Sequence, residues 1–129
     1  MNLEDIFGPV IHSYSRAQAI ADGVLVDVSK DSREAGISFP VALTRAVWDS
    51  YVRVPEGVDG QDETGRLWDI IWMFRCSINK CDGDRVDFEV LVRNHNGELR
   101  KSDLIQLYGI CGPGDDHEPV ITIMLPHED

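Results

Sequence analysis

The chain has 129 residues, 43% of them hydrophobic, and a formal net charge of −11 from 23 acidic and 12 basic side chains. That length suits a single domain, 1–129, whose core needs no disulfide or metal staple. The charge disfavours direct binding to nucleic acid, which requires cations to replace phosphate counterions, and no apolar run reaches membrane-spanning length.

The N-terminus, Met1-Asn-Leu-Glu-Asp5, is acidic where a signal or transit peptide is basic. A cytoplasmic location without a membrane is therefore expected. Cys76, Cys81 and Cys111 are odd in number and spaced neither as a disulfide framework nor as a paired C-x-x-C zinc site. Reduced thiols follow, with Cys76 on a helix and Cys111 closing a strand.

Met1 to Phe7 suits a short helical turn ended by Gly8-Pro9, with Val10 and Ile11 beginning an extended piece. Ser15-Arg-Ala-Gln18 has the form of a capping box. It predicts a helix to about Ala21, with Gly23 as its left-handed terminator. Val24 to Val28 reads as a strand and Ser29 to Ala35 as a short helix stopped by Gly36. Ser38-Phe39-Pro40 resembles a second helix start, so Val41 to Tyr51 is expected to be helical, ending before Pro55. Glu56 to Gly65, with three glycines and four acids, reads as a loop.

Arg66 to Asn79 is the clearest helix. Leu67, Ile70, Ile71, Phe74 and Ile78 recur at helical spacing and should face the core. After Asp82-Gly-Asp84, Val86, Phe88, Val90 and Val92 alternate with polar residues as in a half-buried strand. Asn94-His-Asn-Gly97 reads as a hairpin turn. Asp103 to Cys111 and Val120 to Leu125 complete a meander. The expected fold is α+β, a helical N-terminal half packed on a C-terminal three-stranded (or larger) antiparallel meander.

Two clusters could carry chemistry. Cys111-Gly-Pro-Gly-Asp-Asp-His-Glu-Pro119 contains Asp115, Asp116, His117 and Glu118, donors in kind for a hard cation. Four adjacent residues rarely converge on one ion, however. A solvated turn accounts for them, with Gly112 and Gly114 supplying positive φ. Trp68, Trp72 and Arg75 share one side of the main helix, and Trp and Arg are favoured binding residues. The expectation is that both indoles widen the buried face while Arg75 pairs with an acid such as Asp69. Exposed indoles would instead mark a partner surface. No cationic neighbour sits beside Cys111 to activate it, and no phosphate-cradling loop, G-x-S-x-G or H-E-x-x-H occurs. No catalytic residue or cofactor is assigned, and the reading leans away from an enzyme.

Several blocks carry a resemblance: Ser15 to Ser29, Phe39 to Trp48, Gly65 to Met73, Cys111 to Asp116 and Pro119 to Pro126. Together they resemble an uncharacterised bacterial domain family found on chromosomes, plasmids and phages. That family has no assigned activity, so the resemblance implies no site residue; its setting implies association with mobile elements. Three functional expectations result. The first is a small acidic accessory protein that binds a protein partner, in a sharper form by imitating nucleic acid. The second is a metal-dependent domain using Asp115 to Glu118, with His12 or His95 brought near. The third is an oligomer joined through Trp68, Trp72 and a strand edge.

Overall fold

The computed structural model describes residues 14–78 and 83–128. The expected turn at Met1 to Phe7, the extended Val10-Ile11, His12, Cys81 and Asp82 lie outside them.

Helix α1 (Arg16–Ala21) carries the expected capping box at Ser15 and ends before Gly23, whose φ is 79°. Strand β1 (Leu25–Asp27) and helix α2 (Ser29–Glu34) follow as read from the sequence. Val41–Thr44, expected to be helical, is strand β2. A short apolar run fits either state, since periodicity cannot separate a fully buried strand from a buried helix. Val41, Ala42 and Leu43 are completely buried, which is the condition of a central strand. Pro40 thus opens a strand instead of a helix, and its carbonyl accepts a hydrogen bond from Ile121 N at 2.8 Å. Helix begins only at α3 (Arg45–Val47), which runs into a widened π turn at Trp48–Val52.

Helix α4 (Glu63–Ser77) is the longest among the described residues. It is followed by β3 (Arg85–Leu91), a 3-10 turn at Lys101–Asp103, β4 (Leu104–Pro113) and β5 (Pro119–Met124). The strands form one mixed sheet in the order β1-β2-β5-β4-β3. The pair β2–β5 is parallel and the other three are antiparallel. The expected division into a helical N-terminal half and a C-terminal sheet is therefore corrected. The β3-β4-β5 meander exists, but two strands from the N-terminal half extend it, and the helices are distributed along the chain.

One face of the sheet packs against α4. Leu67, Ile70, Ile71 and Phe74 meet Val86, Phe88, Val90, Leu107, Ile121 and Ile123 in a single core cluster. Phe74 and Phe88 contact edge to face at 5.4 Å. Gly109 makes this closure possible, because a Cβ there would lie 2.3 Å from Phe74 Cε1. Arg66 is 5% exposed and meets no carboxylate. Its guanidinium donates to Tyr51 O, Gln61 Oε1, Arg93 O and Asn94 Oδ1, tying α4 to its surroundings. This explains why Asn94 to Gly97 is not the hairpin turn expected. Asn94 is held by Arg66 and Ser50, while Asn96 bridges Gly57 O and Asp59 N. The segment is a longer connection that clasps the Glu56–Gln61 loop.

Candidate functional site

The core stripe of α4 fixes what the rest of that helix presents. With Leu67, Ile70, Ile71 and Phe74 inward, Trp68, Asp69, Trp72, Met73 and Cys76 point outward. Trp68 is 39% exposed, Trp72 46% and Met73 39%. The expectation that the indoles widen the buried face is corrected: the four inward residues already cover the sheet, and positions 68 and 72 lie beyond its reach. The two rings stack on each other, with centroids 6.0 Å apart and planes inclined by 13°. Spacing of four on a helix makes this contact possible. The stacked pair presents an apolar plate to solvent.

A groove of about 520 Å³ runs beside Trp68. Asp31 and Glu34 from α2, Asp62 at the start of α4, and Asp69 line it together with Trp68. Arg66 lines it too, but that guanidinium is committed to the four acceptors named above. The accessible charge is therefore negative. Partial desolvation holds the Asp69 carboxyl above its ordinary value, although the residue as a whole is exposed. Met73, Asp31 and Glu34 were not singled out in the sequence. Met73 could have been found from its place beside Trp72 on the outer stripe. The acids of α2 could not, because only the docking of α2 against α4 brings them to Trp68.

Arg75 stands apart from the stack. It lines a different cleft at the other end of α4, and among the described residues it makes no hydrogen bond or ion pair, with Asp69 or any other group. The acidic hairpin loop is also separate. Both Asp115 oxygens accept backbone N–H bonds at the start of α1, from Arg16 at 2.8 Å and Ala17 at 3.1 Å. Glu118 Oε2 accepts from Asp116 N at 2.9 Å. Positive φ occurs at His117 (66°) and not at Gly112 or Gly114 as expected. A Cβ at Gly114 would meet the Glu118 carboxylate, which would have to swing aside. His95 lies beyond the opposite end of β4, where its Nε2 meets Asp103 at 2.9 Å. Among the described residues no three His, Cys, Asp or Glu side chains are grouped to hold a metal ion. Cys76 is exposed on α4, and Cys111 pairs with Ile121 within β4.

Residues 3–129 match the model of a family of unknown function, DUF6573. The chain belongs to the DUF6573 family. The match spans all the blocks that carried the resemblance, and it brings no activity with it. Searches of curated proteins and of solved structures gave no match to this DUF6573 protein. Among the described residues, no helix of the DUF6573 chain is long and apolar enough to cross a membrane.

Proposed function

We propose that this DUF6573 protein is a binding protein whose stacked Trp68–Trp72 plate and flanking acids receive a basic protein segment. The observation that carries the reading is the exposure of two stacked indoles on one helix face. Contiguous exposed apolar surface of this kind marks interaction sites, and Trp is a favoured anchor within them. The choice of partner rests on charge. The chain carries −11 overall, and Asp31, Glu34, Asp62 and Asp69 line the groove beside Trp68 at one end of the plate. A Lys or Arg side chain can lie over an indole while its charge faces these carboxylates.

Titration with Lys/Arg-rich, neutral and acidic peptides of equal length tests this. The basic peptide should bind selectively, and affinity should fall with added salt as surface charges are screened. Trp68→Ala with Trp72→Ala should weaken binding at least tenfold, about 1.4 kcal/mol. Undiminished binding by the double variant would refute the reading. Affinity should also fall on acidification. Asp69 loses its charge at a higher pH than an ordinary aspartate, because burial raises its pKa.

Imitation of nucleic acid is a second form of the protein-binding reading, one that rests on the acids and not on the indoles. It draws support from how few acids are neutralised: among the described residues Arg–carboxylate pairs occur only at Arg45–Asp49 and Arg85–Asp87. Displacement of duplex DNA from a basic DNA-binding domain, undiminished in the double Trp variant, would favour it over the peptide reading.

A further inference from the structure

A second concavity lies between the C-terminal half of α4 and the inner face of the sheet, with a volume of about 510 Å³. Its walls are apolar: Ile37 and Phe39 from the segment before β2, Phe74 from α4, Val86 from β3 and Ile121 from β5. Phe39 is 43% exposed at this cleft, an unusual state for a ring beside unfilled apolar surface. Arg75 lines the same cleft half-buried and, among the described residues, unpaired. The chain has nearly two acids for every base, 23 against 12. An arginine left without a carboxylate partner in such a chain retains its full capacity for an anion. Asp84 also lines the cleft, and its negative charge opposes an anion seated close to it.

We propose that this cleft binds a small apolar carboxylic acid, its hydrocarbon or aromatic body against Phe39, Phe74 and Ile121 and its carboxylate on the Arg75 guanidinium. The volume falls within the range of small-ligand sites, about 300–1,000 Å³, and the composition has their usual form, apolar walls with few polar groups. The planar guanidinium can accept a carboxylate through two parallel hydrogen bonds. The site is independent of the Trp68–Trp72 plate, so each can fail without the other.

Calorimetric titration with decanoate and with decanol tests the proposal on the full chain. Decanoate should bind saturably and at least tenfold more tightly than decanol. Arg75→Gln should bring decanoate down to the decanol affinity. Ser38→Trp, which places a ring at an exposed position lining the cleft, should reduce both. Circular dichroism confirms that each variant is folded. Absence of saturable decanoate binding, or decanoate affinity unchanged by Arg75→Gln in a folded variant, overturns the proposal. Binding only of a peptide with an apolar residue at its free C-terminus overturns it too, in favour of a peptide groove.

Discussion

Single residues decide how the two ends of the sheet are closed. Asp103 is 6% exposed and accepts from Arg100 N at 2.8 Å and from His95 Nε2. Gly97 N–H donates to His95 Nδ1, so the imidazole proton sits on Nε2 and faces the carboxylate. The Arg100 backbone bond, aided by His95, holds the Asp103 carboxyl below its ordinary value. A carboxyl whose pKa is lowered by folding stabilises the fold above its unfolded pKa, about 3.9. That contribution is lost as pH falls through the lower folded value. Asp103→Asn should therefore melt at a lower temperature than the parent at pH 7, with the gap closing toward pH 3; equal gaps at both pH values would exclude the linkage. Gly109 illustrates a steric constraint of the same local kind. Gly109→Ala forces its Cβ onto the Phe74 ring and should cost about 1–3 kcal/mol in urea denaturation. The cost should shrink in a Phe74→Leu background, since the two sites share one contact. Neither effect is legible in the sequence, where Gly109 is one glycine inside a strand and Asp103 one acid among many.

At the scale of elements, legibility followed the source of each element's stability. Helix α1 was readable because its start is a local hydrogen-bond pattern, Ser15 with Gln18. Helix α4 was readable because five apolar residues repeat at helical spacing, and β3 because its burial alternates strictly. Strand β2 was not, since its four residues take their state from β1 and β5 on either side. The outward turn of Trp68 and Trp72 was missed for a related reason. A sequence shows which helix positions are apolar, but the width of the partner surface decides how many are covered. The hairpin loop was half legible: its turn was expected, its task was not. Asp115 completes the cap of α1 across 99 residues of sequence, accepting from Arg16 N while Ser15 serves Gln18 N. Asp115→Ala leaves two helix N–H groups without that acceptor and should cost about 0.5–2 kcal/mol, as loss of a cap does. Thermal melting would check it, and amide exchange should quicken at Arg16 and Ala17. A neutral result in both would return the loop to a merely solvated turn.

The whole molecule depends on where the last strand lies. β5 occupies the third of five positions in the sheet, parallel to β2 and antiparallel to β4. It joins the N-terminal β1–β2 pair to the β3–β4 pair, and no other strand does so among the described residues. Ile121 and Ile123 are 4% and 0% exposed, and they enter the same core that α4 closes. A parallel pairing between distant segments cannot come from a hairpin turn, so the sequence held no local sign of it. Folding must close this contact before either half of the sheet gains a complete inner face, which places the molecule among those with non-local, slower assembly. Replacing Ile121 and Ile123 together by Ala should cost about 4–10 kcal/mol, at about 2–5 for each buried residue. That sum is comparable to the whole stability of a domain of this size, about 5–15 kcal/mol. The double variant should therefore lose cooperative unfolding by circular dichroism. Exposed pairs such as Trp68 and Trp72, changed to Ala, should retain it. If the Ile121/Ile123 variant kept a sharp transition near the parent midpoint, the two halves would hold together without β5, and the sheet order would have to be revised.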